Sequence, residues 1–295
     1  MKALTISVVV PAYNEAEAIG QVMADLHAEL TKRRLEFEIL VVDDGSSDDT
    51  AKAVDPAHAR VISHPTNGGY GRALLTGIEA AKYDWVLMID ADGSYPPAEI
   101  LKLLEYAPAF DLVIGAREGA HFWGTPTKTF LRWVYLRLAS FVVGARVPDA
   151  NSGLRLVRKS LVDQQALVRC LGYSFTTTMT LSFLMQGRFV KYMPIEFRAR
   201  SGGHSKVKPF RDVLRTLQLM TEVIIIYNPL KLFATVAAWI GALAGVFFVG
   251  SFLGGGPIFL LCGMFAALGS FFSFAIGCLL DSIRMHGQWP IVAKT

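Results

Sequence analysis

The sequence predicts an α/β domain with a mainly parallel sheet, followed by a two-helix transmembrane hairpin. Three observations support this prediction. Short β-branched runs alternate with helix-forming stretches, polar motifs follow these runs, and two long apolar runs near the C-terminus contain no charged residue. Strands that alternate with helices are typical of a parallel sheet covered on both faces.

The first strands and helices follow from hydrophobic periodicity and from the turn residues between them. Strands are predicted at residues 4–10, 37–42, 60–63 and 85–89, and helices over residues 15–31 and 71–82. In such sheets, ligands bind beyond the carboxyl ends of the strands. The polar motifs after these strands are therefore the first candidates for a functional site.

Two C-terminal runs are long enough to span a membrane. Leu232–Leu253 contains 22 residues without a charge and Pro257–Leu280 contains 24, whereas a transmembrane helix needs about 20. The residues between them, 254–257, are Gly-Gly-Gly-Pro and predict a tight connection. The alternative is a pair of buried helices in a soluble protein, but charge-free runs of this length are rare in soluble folds.

The charges that flank the apolar runs predict a multi-pass protein with both chain ends in the cytoplasm. Lys231 precedes the first run, Arg284 and Lys294 follow the second, and the connection is uncharged. Positive charge favours the cytoplasmic side. Residues 1–10 have no cleavage-site pattern and are interpreted as a first strand, not as a signal peptide.

Charge and cysteine usage exclude several classes of protein. Residues 1–112 contain 9 Lys and Arg against 18 Asp and Glu, whereas residues 113–295 contain 20 against 7. The basic half adjoins the spans and matches no nucleic-acid module, so anionic headgroups or an anionic substrate are the expected partners, not nucleic acid. Cys170, Cys262 and Cys278 form no close pair, which fits a reducing cytoplasm and argues against a structural zinc site.

Two acidic residues follow the second predicted strand. Asp43 and Asp44 precede Gly-Ser-Ser, which places carboxylates at the sheet edge, where they can accept hydrogen bonds from a base or a ribose. The alternative is a helix cap, because Ser46, Ser47 or Asp48 could cap a helix that starts near residue 49. Capping does not require two preceding acids, so Asp44 is predicted to contact a ligand.

Two further carboxylates follow the fourth predicted strand, at Asp90 and Asp92. Carboxylates one residue apart can share a hard cation with a diphosphate, and Mg²⁺ and Mn²⁺ prefer such oxygen ligands. On its own, Asp-x-Asp is equally typical of a polar turn. Its place after a buried strand favours the metal site.

Taken together, these motifs resemble those of the family 2 glycosyltransferases, and most closely the dolichyl-phosphate mannosyltransferase-like, polyprenyl-phosphate branch. The resemblance covers about residues 4–210. The motifs occur in the family's order: Pro-Ala-Tyr-Asn-Glu (11–15), Val-Asp-Asp-Gly-Ser (42–46), Asn-Gly-Gly-Tyr-Gly-Arg-Ala (67–73), Asp-Ala-Asp-Gly (90–93), Gly-Ala-Arg (115–117), Asp-Ala-Asn-Ser-Gly (149–153), and Arg200 followed by Lys206.

The resemblance implies a GT-A fold, an inverting transfer and a set of binding residues. In that reading a GT-A domain occupies residues 1–206, an interfacial amphipathic helix 207–228 and the transmembrane hairpin 229–295. The nucleoside would be bound by Pro11, Tyr13, Glu15, Val42 and Asp44. The metal and the diphosphate would be bound by Asp90, Ala91 and Asp92, with Asp90 and Asp92 as the metal ligands. Phosphate groups would be bound by Arg117, Arg200 and Lys206.

The same resemblance implies three catalytic residues, namely Asp92, Asp149 and Lys206. Some relatives carry Gln where this chain has Asp92, which leaves direct metal ligation by Asp92 open. The family places a suspected base at Asp149. A phosphate acceptor has a second pKa near ~6 and scarcely needs a base. Asp149 is therefore predicted to act as a base, to orient the acceptor, or to serve in a turn or in a pair with an arginine.

Aromatic and basic residues alternate in residues 121–146 and again in residues 207–227. This combination is typical of helices at the headgroup level of a bilayer, although ordinary amphipathic helices against a sheet would show it too. The predicted function is metal-dependent transfer, with Mg²⁺ or Mn²⁺, of a sugar from a GDP-mannose-type or UDP-glucose-type donor to a polyprenyl (dolichyl) phosphate. The expected partners are the nucleotide sugar, the lipid phosphate, the bilayer and a second copy of the chain. The alternatives are a processive polysaccharide synthase and a non-catalytic membrane scaffold.

Overall fold

The computed structural model describes residues 4–123, 125–163, 175–199 and 209–286. The chain divides into two compact units, Met1–Leu219 and Met220–Thr295, and each is described by itself. The first unit contains a seven-stranded sheet. Its strands are β1 (Thr5–Ala12), β2 (Glu36–Asp43), β3 (Arg60–Ser63), β4 (Trp85–Met88), β5 (Leu112–Glu118), β6 (Arg155–Arg158) and β7 (Val190–Glu196).

The strand order is β3-β2-β1-β4-β6-β5-β7, and the sheet is mainly parallel. Only β6 runs against its neighbours β4 and β5. The predicted α/β class is confirmed, and the first four predicted strands match β1 to β4 within two residues at each end. Because β6 is antiparallel and pairs Arg155 with Met88, the segment that enters β6 lies at the same edge as the carboxyl ends of β1, β2 and β4.

Helices cover both faces of this sheet. They are α1 (Ile19–Lys32), α2 (Tyr70–Ala80), α3 (Glu99–Leu104), α4 (Ala120–Trp123), α5 (Pro126–Val143), α6 (Lys159–Asp163) and α7 (Phe175–Met185). Side chains of a strand alternate between the faces, so Val8 and Val10 of β1 pack with α1, whereas Val9 packs with α2 and α7. Both faces are therefore hydrophobic, as a buried parallel sheet requires.

The helix predicted to start near residue 49 is absent from the described structure, because residues 49–53 form a bend and turns. The helix-capping alternative for the segment after β2 is therefore wrong. The carboxylate of Asp48 accepts hydrogen bonds from the backbone N–H groups of Thr50, at 3.0 Å, and Ala16, at 3.3 Å. A side chain that satisfies nearby backbone donors offers the chain an alternative to helix. Asp48 thus joins the loop after β2 to the loop after β1.

The last part of the chain is helical, with α8 at Pro209–Tyr227, α9 at Pro229–Gly250 and α10 at Gly256–Met285. Asn228 caps α9 by accepting a hydrogen bond from the Lys231 N–H at 3.1 Å. The backbone leaves helical geometry at Gly254, where φ is 101°. Ser270 and Ser273 of α10 donate to backbone carbonyls of α9, at 2.8 and 3.1 Å. The segment Pro229–Met285 is long and apolar enough to cross a membrane.

Candidate active site

A cavity of about 270 Å³ opens at the edge of the sheet where β1, β2 and β4 end. Its lining residues are Pro11, Ala12, Tyr13, Glu15, Asp44, Asn67, Gly69, Tyr70, Ala73, Asp90, Ala91, Asp92, Arg117, Asn151 and Thr176. Eight of the residues assigned by resemblance therefore surround one space. Ala12, Asn67, Gly69, Tyr70, Ala73, Asn151 and Thr176 line it without having been assigned a role.

Hydrogen bonds between two loops shape one end of the cavity. The Asn14 N–H donates to Ser46 Oγ at 2.9 Å, and the Glu15 N–H donates to Thr50 Oγ1 at 2.8 Å. Asn14 has a positive φ of 52°, a conformation that asparagine tolerates better than most residues. These contacts hold the loop after β1 against the loop after β2, so that Tyr13 and Glu15 lie at the cavity with Asp44.

Asp44 is held by three donors. Its carboxylate accepts hydrogen bonds from the N–H groups of Gly68 and Gly69 at 2.9 and 2.7 Å. His64 Nδ1 lies 2.7 Å from Asp44 Oδ1. The side chain is only 3% exposed, yet it borders the cavity. A buried carboxylate needs such donors, because burial without them costs several kcal/mol.

Val42 does not line this cavity. Its side chain is fully buried in β2, and its Cγ2 would lie 3.2 Å from a Cβ placed on Gly77 of α2. Successive side chains of a strand point to opposite faces of the sheet. The Val42 side chain lies on the face that packs against α2. A nucleoside contact with Val42 would have to use its backbone.

Asp90 borders the cavity and has close neighbours on two sides. Tyr70 donates its hydroxyl proton to Asp90 Oδ1 at 2.8 Å. Burial, followed by the charge of Asp90, raises the pKa of Tyr70 well above its ordinary value, so the phenol stays protonated. On the other side, a Cβ placed on Gly153 would lie 2.3 Å from Asp90 Oδ2. A side chain at position 153 would therefore displace the Asp90 carboxylate from this position.

Asp92 lies two residues further on and is 6% exposed. Its Oδ1 accepts a hydrogen bond from the Ser94 N–H at 3.0 Å, within the turn after β4. Both carboxylates border the same cavity. Among the residues that the structure describes, no group of three or more His, Cys, Asp or Glu could hold a metal ion. Two carboxylates fit a cation such as Mg²⁺, which usually binds one or two protein carboxylates together with substrate phosphates.

Asp149 does not line the cavity, but it forms a buried ion pair with Arg117, which does. Arg117 Nε and Nη2 donate to the two oxygens of Asp149 at 2.7 and 3.0 Å. The N–H groups of Arg117 and Asn151 donate to the same carboxylate at 3.2 and 3.0 Å. Burial raises the pKa of Asp149, but the Arg117 charge and these hydrogen bonds outweigh it and leave the pKa below its ordinary value. This geometry supports the arginine-pairing alternative, because a carboxylate with four donors is a weak base.

A second buried arginine anchors the segment that carries Asp149. Arg155 is fully buried. Its guanidinium donates to the carbonyls of Ala150, Ser152 and Thr176 at 2.6–2.8 Å, and to Thr180 Oγ1 at 2.8 Å. A buried charge is tolerated only when its donors are satisfied. These bonds fix residues 149–155 against the start of α7, which brings Thr176 to the cavity.

A second cavity, of about 760 Å³, lies beside the first and also has Arg117 in its wall. Its lining includes the aromatic residues Phe122, Trp123 and Trp133 and the basic residues Arg137 and Arg146. Arg132 is not among the lining residues, but its guanidinium lies 4.2 Å from the centre of the ring of Phe122, which is one of them. Within the described part of the chain, its Nη1 is buried without a hydrogen-bond partner. Burial and then Arg117 lower the pKa of Arg132, as expected where two cations are held close together.

The remaining assigned residues, Arg200 and Lys206, lie outside the described residues. Among the cavity residues without an assigned role, four belong to the motif at 67–73, namely Asn67, Gly69, Tyr70 and Ala73. The sequence analysis recognised this motif but assigned none of its residues to a ligand. Thr176 gave no signal, because a threonine run near a helix start looks like ordinary helix sequence.

Residues 7–165 match the glycosyl transferase family 2. The match covers more than half of the chain, so the protein belongs to this family and is a glycosyltransferase.

Several proteins are similar over most of the chain. An undecaprenyl-phosphate mannosyltransferase from Micrococcus luteus is 32% identical over 222 residues, which cover 70% of this chain and 88% of that protein. A dolichyl-phosphate hexose transferase from Haloferax volcanii is 32% identical over 208 residues, covering 70% and 87%. Both relatives belong to the branch that the motifs indicated.

The fold is similar to a solved enzyme structure. Glucosyl-3-phosphoglycerate synthase from Mycobacterium tuberculosis, solved with Mn²⁺, UDP-glucose and phosphoglyceric acid, matches with a TM-score of 0.59 and 22% identity. The match covers 75% of this chain and 79% of that chain. At this identity the likeness establishes the fold alone, which confirms the GT-A-like α/β domain.

Proposed function

We propose that this glycosyltransferase transfers a hexose from a nucleotide sugar to a polyprenyl phosphate, with inversion, at the cytoplasmic face of a membrane. One observation carries the proposal: Arg117 belongs to the walls of both cavities. The first cavity suits a nucleotide sugar and the second suits a lipid phosphate. A reaction between the two ligands would therefore take place at Arg117.

The donor occupies the first cavity in a definite order. The nucleoside lies at the end bordered by Tyr13, Glu15 and Asp44, and the diphosphate lies beside Asp90 and Asp92. The hexose then extends toward Arg117, Asn151 and Thr176, which border the far end. The named activities of the two relatives and the UDP-glucose bound by the structural neighbour agree with GDP-mannose or UDP-glucose as the type of donor.

Asp90 and Asp92 would hold Mg²⁺ or Mn²⁺ together with the diphosphate. The bound cation supplies charge neutralisation for the departing nucleoside diphosphate. Tyr70 and Gly153 fix the position of Asp90, so the ligand geometry exists before the donor binds. Such preorganisation avoids the cost of reorganising polar groups during the reaction.

The acceptor phosphate binds at the second cavity. Arg137 and Arg146 line this cavity and donate to the phosphate oxygens, and arginine suits phosphate because its donors are planar and permanently charged. The aromatic residues of this cavity accommodate the first isoprene units. Asp149 holds Arg117 in place and takes no proton, because the phosphate is largely dianionic near neutral pH.

The membrane attachment consists of two spans, about 232–253 and 257–280, joined near Gly254. Exposed Phe130, Leu131 and Trp133 of α5, with exposed fractions of 50–61%, rest at the headgroup level. Positive charges near the ends of the spans favour a cytoplasmic orientation.

A panel of GDP-mannose, UDP-glucose and related donors, assayed with undecaprenyl and dolichyl phosphate in detergent, tests the proposal. We expect one donor class to give a lipid-linked hexose with inverted anomeric configuration. Arg146→Ala, which changes a residue of the second cavity, should raise the KM for the lipid about tenfold, the loss of about one charged hydrogen bond, and leave the donor KM unchanged. Arg33→Ala, an exposed residue at the end of α1, is the control.

Two results would contradict the proposal. Polymer formation without lipid phosphate would indicate a processive synthase. Absence of turnover with every donor and lipid, from protein that binds nucleotide, would indicate a non-catalytic scaffold.

A further inference from the structure

The inference concerns the buried imidazole of His64, which follows β3 and is not a family motif residue assigned above. Its side chain is 12% exposed. Nδ1 lies 2.7 Å from Asp44 Oδ1, and Nε2 lies 2.9 Å from Thr76 Oγ1 of α2. The His64 N–H donates to the carbonyl of Asp43 at 2.8 Å. The ring is thus fixed at both nitrogens between the sheet edge and α2.

The hydrogen-bond network defines what each nitrogen does. Carboxylate oxygens accept hydrogen bonds, so Nδ1 of His64 is assigned as the N–H group that donates to Asp44. In the neutral ring Nε2 accepts from the Thr76 hydroxyl. This assignment leaves no donor facing a donor, and it connects α2 to Asp44 through one rigid side chain.

The same network limits how Asp44 can bind a ligand. Oδ1 accepts from His64 and from Gly68, whereas Oδ2 accepts from Gly69. A carboxylate oxygen has two lone pairs. Among the contacts of the described residues, Oδ1 is therefore filled and Oδ2 keeps one lone pair. Asp44 can accept one further hydrogen bond, in a direction set by its three existing donors.

We propose that His64 is a positioning residue for the nucleotide donor: it orients Asp44 so that Oδ2 receives a donor group of the nucleoside. The inference rests on the proposed function, in which Asp44 contacts the nucleoside. Without His64 the Asp44 carboxylate would keep only the hydrogen bonds from the Gly68 and Gly69 N–H groups. Two donors restrict the rotation of a carboxylate less than three do. The nucleoside does not change during transfer, so the contact contributes equally to substrate and transition state. Its loss raises Kd and KM and leaves kcat unchanged.

Two substitutions separate positioning from packing. In His64→Asn the amide nitrogen takes about the place of Nδ1, which keeps the bond to Asp44 and loses the bond to Thr76. In His64→Gln the amide nitrogen reaches about the place of Nε2, which keeps Thr76 and loses Asp44. Each variant gives up one buried hydrogen bond and ring volume, so both should lose similar thermal stability.

The experiment is calorimetric titration of the full-length protein in detergent with UDP and with GDP, each in the presence of Mn²⁺, together with steady-state kinetics. For whichever nucleotide binds, His64→Gln should weaken binding about tenfold with unchanged kcat, and His64→Asn should stay within about threefold of the parent. Thr76→Val, which removes only the other hydrogen bond, should leave Kd unchanged.

Equal weakening in the Asn and Gln variants, or none in either, would overturn the inference and leave His64 as a packing residue. Asp44→Asn distinguishes this outcome from failure of the proposed function. If Asp44→Asn binds nucleotide normally, the nucleoside role of Asp44 is wrong and the His64 inference falls with it. If Asp44→Asn weakens binding and His64→Gln does not, only the His64 inference is wrong.

Discussion

Replacing Gly153 by alanine should disable the metal site while sparing the fold. The new Cβ would lie 2.3 Å from Asp90 Oδ2 and 2.6 Å from its Cγ. Carbon–oxygen contacts normally begin near ~3.3 Å, so the carboxylate must move by about 1 Å. The same movement weakens the hydrogen bond from Tyr70.

The expected magnitude follows from that displacement. Mg²⁺ requires oxygen ligands at about 2.0–2.1 Å in near-octahedral geometry, so a shift of about 1 Å removes Asp90 as a direct ligand. Misplacement by about 1 Å can cost a rate on the order of 100-fold, or about 2.7 kcal/mol. The loss of folding free energy should stay near the lower limit of about 1–3 kcal/mol for overpacking, because a side chain at a cavity can turn aside.

The assay compares Gly153→Ala with Asp90→Asn and with Ser152→Ala. Ser152 Oγ is buried without a partner among the described residues, so its removal tests the loop without adding volume. Mn²⁺ titration followed by electron paramagnetic resonance, with nucleoside diphosphate present, should show weak binding in the first two variants and normal binding in the third. Near-parental Mn²⁺ affinity and turnover in Gly153→Ala would refute the reasoning.

Four further predictions concern the ion pair, Lys206 and the spans. Arg117→Gln and Asp149→Asn should each lower the free energy of unfolding by about 3–5 kcal/mol, because each leaves a buried charge unpaired. In denaturant titrations the double variant should lose less than the sum of the two single losses. A loss equal to that sum would show that the two residues act independently. Since the pKa of Asp149 is lowered, its ionisation should not appear in pH–rate profiles between about pH 5 and 8. Lys206→Ala should lower kcat more than donor affinity, by about 2–4 kcal/mol; raised KM with strong salt dependence, measured at two ionic strengths, would indicate a surface role instead. Deletion of residues 228–295 should preserve nucleotide binding but impair transfer to long-chain lipid, and full activity on membrane-embedded carrier would contradict the anchoring role.

Much of the donor side of the sheet was predictable from local sequence. Runs such as residues 5–12 combine β-branched residues with a polar motif where the strand ends, and the strand-end rule then brings Asp44, Asp90 and Asp92 to one edge. These features depend on short stretches of chain, and the structure places the three carboxylates around one cavity.

The part of the site around Arg117 and Asp149 was less predictable because it depends on long-range pairing. Arg117 and Asp149 are 32 residues apart, and their contact requires β6 to run antiparallel between β4 and β5. Nothing local to the sequence indicates that β6 reverses direction. The close approach of Gly153 to Asp90 depends on the same strand, so the role of this glycine also became visible only in three dimensions.

The anchoring of Arg155 has a practical consequence for enzyme engineering. Three of its four acceptors are backbone carbonyls, and a carbonyl keeps its place whichever side chain its residue carries. Residues 151 and 176, which border the cavity, can therefore be randomised to seek new donor preferences while the guanidinium keeps the surrounding backbone in register. An insertion or deletion in residues 150–155 would move the carbonyls themselves. Libraries that substitute side chains and keep the number of residues in this segment unchanged should therefore preserve the backbone around Arg155.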